Sequence, residues 1–347
     1  MDLLNYFNDE VYSYLLKSKD SKHVWINYLS EFCDKSCINY QNILFYGSEQ
    51  NDEIKAIETF KNASSVWTFK IVEVIIKNNS CFFNIERSSC ITKTVREIFM
   101  NSNFGMSEKF NDESVNVECK YAEDESSLLS YRKKLIGDVM RNLICYSKYA
   151  YTNEPSNAKY QVIVTTVANL KNLEASTRQK FVLCAAILDP KTKKKIQTSL
   201  TEYLSKRSQD MHLISIHKYG IRVKTDDAFK ELIERLGKNA TNLDILEVKH
   251  SSALILTSNS KQEFILYNSA RLERIMESFN KKVDEKYYEK LPHLNNIDLS
   301  VLNEEEEWKL IKIMLLFPDT INRSINDLSK DLFKFIFRKC SDCLRLS

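Results

Sequence analysis

Helical and strand-like spacings of apolar residues give the first hundred residues a small α/β pattern. Apolar side chains recur at helical spacing near the start of the chain, at Leu4, Phe7, Val11 and Tyr14. A strand-like run covers residues 81–85, and a second helical stripe follows with Ile91, Val95 and Ile98. The polar stretch 101–114 has a glycine and no sustained period, which predicts a linker. We therefore predict an N-terminal α/β domain over residues 1–100.

Strands and helices alternate over residues 115–225. Residues 115–121 alternate as a strand, helical spacing follows at 135–143, and residues 160–167 are rich in β-forming side chains. The pattern predicts a further helix at 176–188 and a further strand at 212–216. Strands that alternate with helices favour a parallel sheet with right-handed crossovers, so we predict a small Rossmann-like unit of three strands.

The pattern is helical from Asp226 to the end of the chain. The first helix has an apolar stripe, and Gly237 lies where a C-terminal cap is expected. Two longer helices follow at residues 263–283 and 303–317, the second ended by Pro318. The predicted third domain is therefore helical and covers residues 226–347, and the predicted fold class is α/β followed by all-α.

Composition defines the class of protein but not its partner. Hydrophobic residues make up 43% and charged residues 28%, as in a folded globular chain. Lysine and arginine number 50 against 47 acidic residues, so a polyanion partner would need a local basic surface. The start of the chain lacks the positive flank of a secretory signal, and no apolar run approaches about 18 residues. We expect a cytoplasmic location and no membrane partner.

Residue patterns that carry nucleotide, metal or catalytic chemistry are sparse. The five glycines form neither a GxGxxG nor a P-loop pattern, and the five histidines form no HExxH, so we expect no cofactor and no catalytic residue. The nine cysteines are typical of reduced thiols. The terminal pair Cys340 and Cys343 is a minor candidate for a metal or redox site, but it lacks a companion pair, so we expect no metal centre.

A basic run at residues 191–195 has two interpretations. Its cations are Lys191, Lys193, Lys194 and Lys195. Such clusters are most often solvated surface, whereas counterion release would favour contact with a phosphate backbone. The four lysines are therefore candidate phosphate contacts, and both interpretations stay open.

Two C-terminal blocks resemble the DALR anticodon-binding domain of arginyl-tRNA synthetases. The first block, FILYNSARLERIMESF at residues 264–279, matches that domain's signature helix at Tyr267, Asn268, Ala270 and Arg271. The second block is EEEEWKLIKIMLLFPDTI at residues 304–321, and its matching residues are Glu307, Leu310, Leu315, Phe317 and Pro318. The resemblance implies a DALR-type helical bundle. Further helices normally follow the second block, so we expect the bundle to be incomplete at the C-terminus.

Upstream blocks resemble the body of the same synthetases. Residues 81–99 are similar to the end of their additional N-terminal domain, and residues 115–143 to the segment around the HxGH loop. The HxGH positions fall on Ser127, Leu128, Leu129 and Ser130, and no KMSKS-type loop follows residues 212–223. Serine and leucine replace neither the two histidines nor the glycine of an adenylation site. The resemblance thus implies a degenerate Rossmann-like class I synthetase core in a chain that is not an enzyme.

A synthetase body without its catalytic signatures resembles the DALR anticodon-binding domain-containing protein 3 family. That resemblance implies an adaptor that binds tRNA, arginine isoacceptors in particular, and supports a partner methyltransferase that makes 3-methylcytidine in the anticodon loop. It implies no DNA partner. Two alternatives stay open: an arginine-tRNA ligase that aminoacylates tRNA with ATP, and a protein–protein scaffold.

One helix face collects most of the predicted tRNA contacts. Arg271, Arg274, Lys281 and Lys282 lie near one face of the predicted helix at 263–283, where they would follow a phosphate chain. Tyr267 would stack on an unpaired base. Asn268 of the first block and Lys312 of the second complete the predicted set. The apolar stripe of the same helix is expected to be buried and consists of Ile265, Leu266, Leu272, Ile275 and Phe279.

Overall fold

The chain divides into two compact units, which are described separately. The computed structural model describes residues 2–17, 27–33, 37–41, 50–77, 80–106, 113–120, 126–147, 149–166, 178–196, 198–219, 227–256, 260–302 and 304–326. The first unit consists mainly of Met1–Gly105 and Leu291–Asp319, and the second of Met106–Lys290 and Thr320–Arg345. No helix among the described residues is long and apolar enough to cross a membrane.

The first unit is an antiparallel sheet with helices. Its elements are α1 (Leu3–Lys17), β1 (Asn27–Cys33), β2 (Cys37–Gln41), α2 (Gln50–Ala63), β3 (Ile71–Lys77), β4 (Ser80–Ile85) and α3 (Arg87–Met100). The strand order is β1-β2-β4-β3, with every neighbouring pair antiparallel. The predicted opening helix, the strand at 81–85 and the helix after it are confirmed.

Aromatic rings fill the core of the first unit. Phe7, Phe60 and Phe83 are fully buried, and neighbouring rings pack at tilted and edge-to-face angles. Trp308 and Leu315, from the helix α8 (Glu305–Asn326), lie in the same core. Residues 291–319 therefore fall in the unit of the N-terminal sheet, although the sequence predicted a C-terminal domain over 226–347.

The second unit contains the predicted parallel sheet. Its elements are β5 (Ser114–Cys119), α4 (Leu128–Tyr146), β6 (Ala150–Tyr151), β7 (Tyr160–Thr165), β8 (Gln179–Leu183), β9 (Ile187–Leu188), α5 (Leu200–Tyr219), α6 (Asp227–Glu247), β10 (Leu254–Ile255) and α7 (Ser260–Asp284). The main sheet has the order β6-β5-β7-β8, and every pair is parallel. The short strands β9 and β10 form a separate parallel pair. The α/β region followed by helices is confirmed.

Three local predictions in the second unit are wrong. The described part of residues 176–188 contains strands β8 and β9 where a helix was predicted, and the main sheet has four strands where three were predicted. A short apolar run is compatible with a helix or a strand. Here the backbone hydrogen bonds between β7 and β8 stabilise the strand. Residues 212–216 belong to helix α5, not to a strand, because Met211 and Ile214 pack on Ile233 of α6.

Two predicted helix ends are also wrong. Gly237 lies inside α6, where a Cβ atom would come within 2.7 Å of the Ser208 backbone nitrogen. Glycine there allows α5 and α6 to approach closely and is not a cap. Pro318 lies inside α8, which continues to Asn326. Leu315 and Ile321 are buried on both sides of the proline, so burial outweighs the hydrogen bond that the proline cannot make.

A buried polar network joins α5 to α6. The Arg207 guanidinium lies 2.9 Å from an Asp244 carboxylate oxygen and 2.8 Å from Asp210, and the Tyr203 hydroxyl donates to Asp244 at 2.9 Å. Burial raises the pKa of Asp244 to about 6, although Arg207 and Tyr203 oppose the shift. The network fixes the α5–α6 hairpin on which α7 begins.

Candidate nucleic-acid interface

Helix α7 is anchored in its first half and exposed in its second. Leu266 packs on the cluster formed by Met211, Ile233 and Ala240 of α5 and α6. From residue 271 to residue 278, by contrast, every side chain is exposed. The helix therefore presents several faces to solvent over more than two turns.

The α7 cation face, defined as Arg271, Arg274, Lys281 and Lys282, lies on the exposed half. At 3.6 residues per turn, these four residues fall within an arc of about 100°. Arg271, Arg274 and Lys281 are exposed, and Lys282 is half-buried. Lys281 lies 3.7 Å from Glu285, but both side chains are largely exposed, so this ion pair holds the lysine only weakly. The face can thus offer charged donors to a phosphate backbone.

The other predicted tRNA contacts are Tyr267, Asn268 and Lys312. The side chain of Tyr267 falls outside the described residues. Asn268 is buried, which suits packing better than contact with RNA. Lys312 is half-buried on α8 and belongs to the first compact unit, whereas α7 belongs to the second. The structure therefore brings four of the predicted residues together on one helix face, and the site remains a prediction.

The predicted burial of the α7 apolar stripe is wrong at Leu272 and Ile275, and the side chain of Ile265 lies outside the described residues. Leu272, Ile275 and Met276 are 55%, 53% and 54% exposed and form what we call the α7 apolar face. Of the predicted stripe, Leu266 contacts the helical core and Phe279 is half-buried. The stripe has helical period, but α5 and α6 reach only the first half of the helix.

Two tyrosines beyond the end of α7 were missed by the sequence analysis. Lys286 has a left-handed backbone with φ of 58°, and the backbone N–H groups of Tyr287 and Tyr288 both donate to the Lys282 carbonyl, at 2.8 and 3.1 Å. The Lys282 amine lies 5.6 Å from the centroid of the Tyr287 ring and 5.2 Å from that of Tyr288. The sequence shows the lysine pair and the tyrosine pair, which could have indicated a cation–aromatic cluster. Their contact depends on the chain reversal at the end of the helix, which the sequence pattern does not give.

The basic run 191–195 forms an ordered turn after β9. The Asp189 carboxylate accepts hydrogen bonds from the backbone of Lys191 and from both the backbone and the hydroxyl of Thr192. These bonds, those from Thr192 first, lower the pKa of Asp189. All the candidate phosphate contacts are exposed, namely Lys191, Lys193, Lys194 and Lys195. The turn thus holds a cluster of cations in solvent, and their contact with phosphate remains a prediction.

The positions predicted to replace HxGH form the start of α4. The Ser127 hydroxyl caps the helix by accepting from the Ser130 backbone N–H at 3.2 Å. Leu128 is fully buried among β9, β10, α5 and α6, and Leu129 packs against the same cluster. These side chains serve capping and packing. The predicted site of the missing second loop, residues 223–226, lies outside the described residues, as does the Cys340–Cys343 pair. The described part of the chain contains no group of side chains able to hold a metal ion.

A buried guanidinium follows directly after these positions. Arg132 is fully buried and donates to three backbone carbonyls, at 2.8 Å to Ala185, 3.1 Å to Lys249 and 3.0 Å to Ser252. The neighbouring Lys133 donates to the Lys120 carbonyl at 3.1 Å. Burial lowers the pKa of both side chains. Arg132 thus joins α4 to the segment after β8 and to the segment before β10.

Comparison with known proteins gives three similar curated relatives. No protein-family model matches the chain. The chain is 24% identical over 168 residues to DALR anticodon-binding domain-containing protein 3 of Danio rerio, a match that covers 45% of this chain and 29% of that protein. The proteins of the same name from Rattus norvegicus and Mus musculus are each 26% identical, with 43% and 44% of this chain covered. The matches span less than a third of each relative's length. The predicted resemblance is confirmed.

Among solved structures, the chain is similar to the arginyl-tRNA synthetase of Thermus thermophilus. The TM-score is 0.41 at 9% sequence identity, and the match covers 75% of this chain and 50% of that chain.

We predict that Arg132→Met lowers the free energy of unfolding by about 2–4 kcal/mol, because three carbonyls lose a charged donor while the side-chain volume is largely kept. Urea denaturation at neutral pH measures the change. Lys134→Met is the control, since Lys134 is the exposed residue two positions along the same helix. Equal stability of the two variants would contradict a structural role for Arg132.

Proposed function

We propose that this chain is a non-catalytic tRNA-binding adaptor that presents arginine tRNAs to a methyltransferase that makes 3-methylcytidine in the anticodon loop. The observation that carries the proposal is the exposed α7 cation face, on a helix whose sequence resembles the signature helix of an anticodon-binding domain. The names of the three relatives support the same direction.

The α7 cation face has the chemistry of a phosphate contact. A guanidinium donates two parallel hydrogen bonds to phosphate, and Arg271 and Arg274 lie one turn apart on the same face. The net charge of the chain is only +3, so affinity for RNA has to come from such local surfaces. The exposed lysine turn at 191–195 would add sequence-independent contacts with the backbone.

An adaptor also needs a surface for its protein partner, and the α7 apolar face fits that need. Leu272, Ile275 and Met276 follow the i, i+3, i+4 spacing by which a helix packs in a groove. The same observation favours the second candidate function, a protein–protein scaffold without RNA. The two candidates differ in one measurable property, the affinity for tRNA.

We do not favour an arginine-tRNA ligase, because Ser127, Leu129 and Ser130 stand in the sequence at the positions that resemble an HxGH motif, and serine and leucine cannot replace its histidines and glycine. We predict that the purified chain shows no arginine-dependent exchange of pyrophosphate into ATP. Ser127→His with Leu129→Gly and Ser130→His should not restore exchange, because the sequence also lacks a KMSKS-type loop. Sustained exchange by the unmodified chain would establish the ligase instead.

We predict that the double variant Arg271→Ala with Arg274→Ala weakens tRNA binding by about 1–3 kcal/mol for each arginine that contacts phosphate or base. The dependence of log Kd on log salt should become shallower by about two phosphate equivalents. Fluorescence anisotropy with labelled tRNA over a range of salt concentrations measures both quantities.

The matched control for this prediction is Lys230→Ala with Arg235→Ala. These two cations are exposed on α6 in the same compact unit, and their removal changes the net charge by the same amount. If only net charge matters, both double variants will lose the same affinity. If neither loses affinity and both remain folded, the α7 cation face is ordinary solvated surface.

We predict that the chain raises the rate at which a 3-methylcytidine methyltransferase modifies arginine tRNAs, with little effect on other tRNAs. Quantifying 3-methylcytidine in nuclease digests of each tRNA, with and without the chain, measures this effect. The variant Ile275→Glu should abolish the stimulation while tRNA binding persists, because a charge on the α7 apolar face opposes burial against a partner. Stimulation of all tRNAs alike would contradict the proposed selectivity for arginine tRNAs.

A further inference from the structure

The aromatic cluster at the end of α7 lies outside the predicted tRNA contacts. Tyr287 and Tyr288 meet edge to face with centroids 5.0 Å apart, and Tyr288 stacks on Phe279 at 5.7 Å with the ring planes 20° apart. Tyr288 is 42% exposed and Tyr287 is 74% exposed. Tyr288 is therefore the supporting ring, and Tyr287 is the ring that solvent reaches.

The backbone holds this pair in a defined position. The left-handed residue Lys286 reverses the chain, and its N–H donates to the Val283 carbonyl at 3.0 Å. The two tyrosine N–H groups both donate to the Lys282 carbonyl. A tyrosine side chain has few rotatable bonds, so an exposed ring on such a fixed turn loses little conformational entropy when it binds a planar partner.

The surroundings of the ring favour an unpaired RNA base as that partner. The Lys282 amine lies close to both rings, and a cation beside an aromatic pair can contact the phosphate of a stacked nucleotide. Residues 281–290 contain four lysines and three acidic residues, so charge alone attracts RNA only weakly here. Stacking, with local help from Lys282, must then supply most of the affinity.

We infer that Tyr287, supported by Tyr288 and Phe279, is a stacking platform for an unpaired base of a single-stranded RNA loop. This inference rests on the proposed tRNA-binding function and adds the part of the RNA that is recognised. It separates two roles on one helix: the α7 cation face holds the phosphate backbone, and the Tyr287 platform distinguishes a loop from a duplex.

The test uses the full chain and two labelled RNAs of equal length, a hairpin with an unpaired loop and a fully paired duplex. The unmodified chain should prefer the hairpin. Tyr287→Ala should weaken hairpin binding roughly tenfold and leave duplex binding unchanged, because only an unpaired base can stack on the ring. Tyr287→Phe and Tyr287→Trp should retain binding, and the tryptophan fluorescence should be quenched by the hairpin but not by the duplex.

Salt distinguishes stacking from charge. The factor lost in Tyr287→Ala should be nearly the same at low and high salt, whereas the factor lost in Arg271→Ala with Arg274→Ala should shrink as salt rises. The matched control is Tyr160→Ala, because Tyr160 is also exposed, has the Lys159 amine 5.6 Å from its centroid and meets Tyr149 edge to face. This control should bind both RNAs as the unmodified chain does.

The outcomes distinguish failure of the proposed tRNA-binding function from failure of the Tyr287 platform. If the unmodified chain binds neither RNA, the proposed function fails, and the platform fails with it. If it binds and Tyr287→Ala retains the preference for the hairpin, or loses hairpin and duplex binding equally, the platform alone fails. Thermal melting of each variant tests whether a loss of binding comes from unfolding. Because Tyr287 is exposed, its replacement should change the melting temperature little.

Discussion

The buried Arg132 guanidinium joins three segments of the second unit. The Arg132 guanidinium has no access to solvent, and its cost of burial is offset by hydrogen bonds to carbonyls from two segments that are distant along the chain. These bonds place the segment after β8 and the segment before β10 around the start of α4. Strands β9 and β10, which follow these two segments, pair with each other. The hydrogen bonds of Arg132 therefore also position the small second sheet and the α5–α6 hairpin that packs on it.

That arrangement gives the start of α4 a structural role. Ser127 caps the helix, and Leu128 is buried among the neighbouring elements. Arg132 strengthens the same region because it joins the segment after β8 to the segment before β10. In this part of the parallel α/β unit, the Ser127 hydroxyl and the Arg132 guanidinium therefore stabilise the fold.

Helix α7 presents different surfaces along its length. Its first half is held by Leu266 on the α5–α6 hairpin, and its second half exposes a cation face, an apolar face and an aromatic end. Each surface suits a different partner chemistry: phosphate, a protein groove and an unpaired base. The same helix that identifies the family resemblance in sequence therefore carries the proposed RNA contacts and the proposed partner contact.

The sequence by itself determined the order of an α/β region followed by helices, the blocks of family resemblance and the spacing that places Arg271, Arg274, Lys281 and Lys282 on one face. These features are local, because helical and strand periods are set within a few residues. Only the tertiary structure decided that Gly237 serves a helix crossing, that α8 continues through Pro318 and that Trp308 lies in the first unit. It alone showed that Leu272 and Ile275 are exposed and that Tyr287 projects beside Lys282. Burial and close approach depend on residues far apart in the chain, and a periodic pattern records which residues share a face but not which faces find a partner.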